Sequence, residues 1–115
     1  MNLASKERGD ALLITAMDDR VDAAVAIQFK DTMRQIASEY PQSRVVLDMS
    51  EVNFLDSSGL GAVVATMKLL GPERKLELAG LTPTVAKVFR LTRMDTVFKI
   101  HATLADAFPE DADAA

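Results

Sequence analysis

The chain has 115 residues, of which 49% are hydrophobic and 26% charged, and its formal net charge at pH 7 is −4. These values are typical of one soluble globular domain with a core of its own. The sequence contains no cysteine, which excludes disulfides, thiolate metal sites and a cysteine nucleophile. The acidic balance and the lack of a basic patch argue against nucleic acid as a partner. No apolar run is long enough for a membrane span, so we expect a cytoplasmic protein without membrane insertion.

Apolar segments with two different periodicities alternate along the chain, which is typical of an α/β domain. The segment 11–17 is predicted to be a strand, and 3–6 a shorter strand paired with it across an RGD turn. Residues 21–39 follow with helical spacing, and Pro41 ends the helix because the residue before a proline disfavours helical geometry. The apolar stripe of this helix consists of Val25, Phe29, Met33 and Ile36.

The second half of the chain continues this alternation. Residues 44–50 predict a strand covered on both faces, because its apolar residues do not alternate with polar ones. A helix is predicted over 57–70 and a strand over 76–81, with Leu76 and Leu78 on one face. The connections imply that most neighbouring strands are parallel.

Capping residues mark the last two helices. Thr82 and Pro83 predict an N-cap followed by a proline in the first helical position. Residues 97–101 predict the final strand, and Thr103 with Asp106 predicts a capping box for a short closing helix. We therefore expect one domain over residues 1–108, followed by an acidic, disordered tail over 109–115.

Two adjacent serines, Ser57 and Ser58, begin the helix predicted over 57–70. Rotating this helix by about 100° per residue places most of its large apolar side chains on one side. That predicted core side contains Leu60, Val63, Val64, Met67 and Gly71. The opposite side is uncharged and contains Ser58, Ala62, Ala65 and Leu69. Because a solvated helix face usually carries charge, we interpret this outer side as a docking face for a partner.

The same helical wheel distinguishes the two serines. Ser57 is expected to face the core or to serve as the N-cap, which would occupy its hydroxyl with a backbone N–H. Ser58 is expected to project outward at the start of the docking face. A phosphate on Ser58 would lie at the positive end of the helix and would bring about −1.5 to −2 charges to that face. The alternative interpretation is that LDSSGLG is only a strand-to-helix turn; the uncharged outer face favours the docking interpretation.

Other kinds of site have less support from the residues. Gly59-x-Gly61 opens a helix after a strand, but Val64 occupies the third glycine position of a dinucleotide motif, so we expect no cofactor. His101 has no nucleophile in a triad pattern and is expected near the surface at a strand end. Four acids could bind Mg²⁺ but are interpreted as solvated loop acids or caps, so we expect no metal and no enzymatic activity. These acids are Asp18, Asp19, Asp22 and Asp48.

A phosphoacceptor receiver domain is an alternative interpretation at the level of the fold. It would use Asp18 and Asp19 after the first long strand, Asp48 as the acceptor, and Lys99. A receiver places a strand and a helix between the acid pair and the acceptor, whereas only one helix intervenes here. No proline follows Lys99, which also disfavours this interpretation.

Several segments together resemble the STAS domains of bacterial anti-sigma-factor antagonists. The central segment is VVLDMSEVNFLDSSGLGAVVATMKLL, with RVDAA before it and KLELAGLTPTVAKVF and MDTVFKIHATLADAF after it. The resemblance covers nearly the whole chain, and this combination is more specific than the D-S-S-G loop alone. It implies an α/β STAS fold with a mixed sheet of four or five strands and about four helices packed mainly on one face.

The resemblance also implies a function, namely partner switching without catalysis by the chain itself. In this family the unphosphorylated antagonist binds an anti-sigma factor, a serine kinase of the histidine-kinase-like ATPase fold, and so releases the sigma factor. The kinase phosphorylates the serine before the loop glycine, here Ser58, and a metal-dependent serine phosphatase removes the phosphate. Asp22 and Asp56 match acids that lie beside this serine and help to engage the kinase. We therefore expect the partner to contact Asp22, Asp56, Ser57, Ser58, Gly59, Ala62, Ala65 and Leu69.

Two departures from the family pattern concern the choice of partner. AMDDR lacks the glycine that is common before the first-helix motif, and Arg93 stands where many relatives have a glycine. An alternative with the same fold is a STAS subunit that docks on a lipid ABC transporter or on another signalling assembly. The outer face would then be a permanent interface, and Ser58 would not be modified. The intact serine, the glycine after it and the single-domain length favour the switch.

Overall fold

A five-stranded sheet runs through the computed structural model, which describes residues 2–109. The strands in chain order are β1 (Leu3–Arg8), β2 (Ala11–Ala16), β3 (Arg20–Val21), β4 (Arg44–Asp48), β5 (Phe54–Leu55), β6 (Lys75–Ala79) and β7 (Lys99–His101). The helices are α1 (Ala26–Glu39), α2 (Ser57–Leu70), α3 (Pro83–Leu91) and α4 (Leu104–Ala107), with a short 3₁₀ helix at Met94–Thr96. All but β3, β5 and the 3₁₀ helix are elements that the sequence predicts.

The main sheet has the order β1-β2-β4-β6-β7. The first two strands form an antiparallel hairpin, whereas β2, β4, β6 and β7 are parallel neighbours. Strand β4 lies in the middle, and four of its five residues are buried. This burial on both faces explains the unalternating aliphatic pattern of β4.

Three helices, α1, α2 and α3, cover one face of this sheet. The core between them is mostly aliphatic, with Phe29 of α1 and Phe89 of α3 fully buried in it. The other face carries a smaller apolar cluster in which Ala107 and Phe108, at the C-terminal end of α4, pack on Leu13 and Val46. The predicted α/β architecture, with a mixed sheet and helices mainly on one face, is therefore confirmed.

A second, two-stranded sheet lies beside the carboxyl ends of β2 and β4. Strands β3 and β5 pair in parallel, with Arg20 opposite Phe54 and Val21 opposite Leu55. The prediction that the first helix begins at residue 21 is therefore wrong, because Arg20–Val21 forms strand hydrogen bonds and α1 begins only at Ala26. This pairing holds the loops after β2 and β4 next to each other.

Two further sequence predictions concern helix ends. Thr103 caps α4 as predicted, since its hydroxyl accepts a hydrogen bond from the backbone N–H of Asp106. Thr82 occupies the predicted N-cap position of α3, but its hydroxyl donates instead to the carbonyl of Val52, at 2.7 Å. Residues 110–115 of the predicted acidic tail lie outside the described residues.

Candidate functional site

The N-terminus of α2 is fixed by the carboxylate of Asp56. Asp56 is the N-cap residue, and its Oδ1 accepts a hydrogen bond from the backbone N–H of Gly59 at 2.8 Å. Its other oxygen, Oδ2, accepts from the backbone N–H of Ala23 at 3.1 Å. One side chain therefore caps α2 and also joins it to the loop that precedes α1.

Both serines at the start of α2 are exposed. The prediction that Ser57 caps the helix or faces the core is wrong, because Asp56 already occupies the cap position. At about 100° per residue, Ser57 points away from the buried side of α2, whereas Ser58 lies on the flank that faces α1. The two hydroxyls are thus presented to different parts of the surface.

Gly59 is buried where α2 approaches β3. A Cβ atom at this position would lie 2.0 Å from the carbonyl oxygen of Val21 and 2.8 Å from Cδ1 of Leu55. Contacts this short do not occur, so only glycine permits the observed approach. The glycine after Ser58 is therefore required by packing, which holds the serine at a fixed height above β3.

The buried side of α2 is rotated by about a quarter of a turn from the predicted one. Its buried residues are Gly59, Ala62, Val63, Thr66 and Leu70. The prediction that Ala62 belongs to the outer docking face is wrong, since only 2% of Ala62 is exposed. Small residues are buried here because α2 packs against α1 and β5 as well as the main sheet. Of the other residues predicted on that face, Ser58 and Leu69 are exposed and Ala65 is half-buried. Gly59, which was also predicted to contact the partner, is buried.

Asp22 lies next to this helix start, in the loop that Asp56 holds. Its Oδ1 accepts from the backbone N–H of Ala24 at 3.1 Å, and its Oδ2 accepts from Nε of Arg20 at 3.3 Å. The guanidinium of Arg20 also lies over the ring of Phe54, 4.1 Å from its centroid. Two carboxylates, those of Asp22 and Asp56, thus flank the start of α2, and both accept backbone hydrogen bonds.

The other acids near these loops also serve as local hydrogen-bond acceptors. Asp48 accepts from the backbone N–H of Ser50 at 3.0 Å, and Asp18 accepts from that of Asn2 at 3.0 Å. Within residues 2–109, no group of three or more histidines and acids is arranged to hold a metal ion.

This loop-and-helix arrangement is shared with a known family. A family model described as the STAS domain matches residues 2–107. The chain belongs to the STAS domain family. This match confirms the resemblance that the D-S-S-G loop and its flanking segments indicated.

Relatives of this STAS domain include proteins named as anti-sigma factor antagonists. The anti-sigma-F factor antagonist RsfB of Mycobacterium tuberculosis is 24% identical over 98 residues, which span 85% of this chain and 80% of that protein. An anti-sigma factor antagonist from Mycobacterium paratuberculosis has a similar crystal structure, with a TM-score of 0.83, 23% identity and coverage of 95% and 92% of the two chains. The phosphorylated form of the Bacillus cell fate determinant SpoIIAA is also similar, with a TM-score of 0.68, 19% identity and coverage of 95% and 98%.

A polar network crosses the sheet of this STAS domain away from Ser58. Arg44 donates through Nε and Nη2 to the carboxylate of Glu77, at 2.8 and 2.9 Å, and also to the carbonyl of Ala107. His101 Nε2 lies 2.7 Å from the same carboxylate. Burial on its own raises the pKa of Glu77, but the hydrogen bonds from Arg44 and His101 outweigh it and hold the pKa below its ordinary value.

The position of His101 differs from the sequence prediction. Its side chain is only 12% exposed and pairs with Glu77, whereas the sequence predicts a histidine near the surface. Arg44, Glu77 and His101 belong to three neighbouring strands, so only the sheet order brings them together. The sequence of β6 could not reveal this network, because Glu77 stands between two leucines as a solvent-facing residue would, whereas the structure buries all three.

Over residues 2–109, no helix of the STAS domain is both long enough and apolar enough to span a membrane.

Proposed function

We propose that this STAS domain is an anti-sigma-factor antagonist that works by partner switching. Its unphosphorylated form binds an anti-sigma factor, a serine kinase of the histidine-kinase-like ATPase fold, and releases the sigma factor. Phosphorylation of Ser58 ends this binding, and a metal-dependent serine phosphatase restores it. The chain is a regulatory binding module with no catalysis of its own, and it acts in the cytoplasm.

The observation that carries this proposal is the presentation of Ser58. Its side chain is exposed on the first turn of α2, while the cap at Asp56 and the contact at Gly59 fix the backbone on both sides of it. A kinase can reach this hydroxyl without unfolding the helix. A rigid, exposed hydroxyl at the edge of a helix face is suited to be both a contact and a modification site.

The charges around Ser58 indicate how a phosphate would act. A phosphoserine carries about −1.5 to −2 charges at pH 7, and near the N-terminus of a helix such a charge is stabilising. The phosphate would therefore leave α2 folded. It would stand beside the carboxylates of Asp22 and Asp56, so its charge would repel an acidic partner and its volume would obstruct a closely packed one. We infer that phosphorylation acts by blocking contact, with the fold unchanged.

The relatives support this role in general terms. The Mycobacterium proteins bear the name of anti-sigma factor antagonists, and the phosphorylated Bacillus SpoIIAA retains a fold similar to that of the present chain. A phosphorylated relative with this fold is consistent with a switch that leaves the domain folded.

The test uses two variants of the full chain as baits in lysate from the native cell. Ser58→Ala removes the hydroxyl, and Ser58→Asp places a negative charge at the same position. We expect Ser58→Ala to retain an ATPase-fold kinase, identified by peptide mass, and Ser58→Asp to lose it. Transporter subunits retained by both baits would instead support a permanent docking role. Equal retention of the kinase by both baits would contradict the switch.

A further inference from the structure

A cavity of about 400 Å³ lies at the edge of the main sheet, where β6 begins two residues before β7. Glu77 is the first residue of β6 that pairs with β7, opposite Lys99, so Lys75 and Leu76 have no neighbouring strand on that side. We call this cavity the β6–β7 pocket and define it by six of the residues that line it. They are Met67, Lys75, Leu76, Glu77, Val97 and Lys99.

The pocket is separate from the candidate site at Ser58. Met67, which lines the pocket, follows Ser58 by nine residues in α2, or about 14 Å along the helix axis at about 1.5 Å per residue. Ser58 begins α2, whereas the pocket lies against the last turns of this helix. A ligand in the pocket would therefore not touch Ser58.

One wall of the β6–β7 pocket is apolar. Leu76 is buried and Met67 is half-buried, whereas 47% of Val97 is exposed. Val97 is a large aliphatic residue that the fold leaves in contact with solvent beside a concave surface. Covering it with an apolar group would remove apolar area from water, which is favourable.

The other wall carries two lysines on one face of the sheet. Lys75 and Glu77 are two residues apart in β6, so their side chains point to the same face, and Lys99 is the register partner of Glu77. The Cα atoms of Lys75 and Lys99 are therefore about 8 Å apart, from the strand spacing and the rise per residue. Within residues 2–109, neither lysine forms an ion pair.

Glu77 does not neutralise these two lysines. Among the described residues it is the only acid that lines the pocket, and its carboxylate is already bonded to Arg44 and His101. Two neighbouring ammonium groups repel each other, and an anion placed between them removes that repulsion. This wall is therefore suited to a negatively charged group.

The pocket is held in shape by Arg74, which also lines it. The guanidinium of Arg74 donates to three backbone carbonyls at the end of α1 and just after it. These are the carbonyls of Ala37, Tyr40 and Gln42, at 2.9, 2.7 and 2.8 Å. The turn between α2 and β6 is thus tied to α1, so a ligand need not pay to order this side of the pocket.

We propose that the β6–β7 pocket binds a small amphipathic carboxylate. The carboxylate of this organic acid lies between Lys75 and Lys99, and its apolar part lies against Met67 and Val97. Ligand pockets usually combine an apolar wall with a few polar groups that fix orientation, and their volumes are about 300–1,000 Å³. The inference does not depend on partner switching, since it uses no residue of the Ser58 site.

The test titrates the full chain with octanoate, below the concentration at which it forms micelles, and follows the backbone amides by NMR. We expect saturable shifts at Gly71, Leu76 and Val97 and none at Ser58 or Gly59. Octanamide has the same chain without the charge, and acetate has the same head without the chain. Each should have a Kd at least fivefold higher than that of octanoate, because each lacks one half of the contact.

Variants of the full chain test the two walls. Lys75→Gln/Lys99→Gln should raise the Kd for octanoate at least fivefold, and Val97→Ser at least threefold. Two matched controls change exposed residues that do not line the pocket. Lys87→Gln removes a positive charge from α3, and Leu91→Ser removes an apolar side chain that is 72% exposed. Both should leave the Kd within twofold of wild type.

Three results would overturn the proposal. The first is a set of shifts that do not saturate, or that appear equally at Ile27 and Leu91, since octanoate would then coat any exposed apolar residue. The second is an equal Kd for octanoate and octanamide. The third is an unchanged Kd in Lys75→Gln/Lys99→Gln whose amide spectrum shows an intact fold. None of them bears on the switch at Ser58, which its own baits test.

Discussion

Gly59 lies directly against the carbonyl oxygen of Val21, so closely that a methyl group on its Cα would be 2.0 Å from that oxygen. This contact joins α2 to the small β3–β5 sheet immediately after Ser58. The orientation of Ser58 is therefore set by backbone packing between two loops that are far apart in sequence.

Replacing this glycine tests the contact. We expect Gly59→Ala to lower the free energy of unfolding by about 1–3 kcal/mol, because α2 must move away from β3 to admit the methyl group. Gly61→Ala is the control, since a Cβ there meets nothing within 4 Å and Gly61 lies on the exposed side of the same helix. It should raise the free energy of unfolding by about 0.5–1 kcal/mol. Urea denaturation measures both values, and equal effects of the two substitutions would refute the contact.

The two hydrogen bonds accepted by Asp56 can be separated by a single amide substitution. Asparagine retains one oxygen for the cap bond from Gly59 but presents an NH₂ group to the backbone N–H of Ala23. We expect Asp56→Asn to lower the free energy of unfolding by about 1 kcal/mol and Asp56→Ala by about 2 kcal/mol.

Amide hydrogen exchange measured by NMR locates the lost bond. In Asp56→Asn the amide of Ala23 should exchange faster while that of Gly59 stays protected. In Asp56→Ala both should exchange faster. Unchanged protection at Ala23 in the asparagine variant would mean that Asp56 does not hold this loop.

Much of the fold follows from local sequence signals. The bounds of α2 are predictable because its apolar pattern begins at the two serines and ends at the turn that follows Leu70, although its cap is Asp56 and not Ser57. Strands β3 and β5 are not predictable, since each has two residues and their pairing joins positions more than thirty residues apart. A helical continuation through residues 21–25 fits the local pattern equally well, and only the tertiary pairing decides against it.

The rotation of α2 about its own axis was not predictable from the sequence. A helical wheel assigns the largest apolar side chains to the core, whereas α2 buries Ala62 and Thr66 because it packs closely against α1. A helix with neighbours on two sides buries small residues where backbones approach, and its larger residues fill the flanks. The network of Arg44, Glu77 and His101 was missed for a related reason, since its members meet only through the strand order.

Arg93 adopts a backbone conformation that favours glycine. Its φ of 61° is the only positive value among the non-glycine residues in the described part of the chain, and it follows the C-terminus of α3. We expect Arg93→Gly to raise the free energy of unfolding by up to about 1 kcal/mol, since the left-handed conformation costs a side chain about 1–2 kcal/mol. Thermal and urea unfolding measure the change. Lys87→Gly, in the helical interior of α3, should instead lower the free energy of unfolding by about 1 kcal/mol. A lower free energy of unfolding in both variants would contradict backbone strain at Arg93.

The Glu77 network predicts a dependence of stability on pH. Because hydrogen bonds from Arg44 and His101 hold the folded pKa of Glu77 below its ordinary value of about 4.3, its carboxylate stabilises the fold above that value. This contribution is lost as the pH falls through the lowered pKa. We expect the stability difference between wild type and Glu77→Gln to shrink between about pH 5 and pH 3, as measured by urea unfolding. For Glu73→Gln, which changes an exposed residue, the stability difference from wild type should stay near zero at every pH. A stability difference for Glu77→Gln that does not change with pH would show that the ion pair does not cause the pH dependence.

The central claim is that phosphate on Ser58 controls binding, and one measurement tests it most directly. The purified kinase is incubated with ATP and the wild-type, Ser57→Ala or Ser58→Ala chain, the phosphate is located by mass spectrometry, and the Kd of each product for the kinase is measured. We predict a phosphate on Ser58 of the wild-type and Ser57→Ala chains, none on Ser58→Ala, and a Kd at least tenfold higher for the phosphorylated chains. A phosphate on the Ser58→Ala chain, or an equal Kd with and without phosphate on Ser58, would contradict the account.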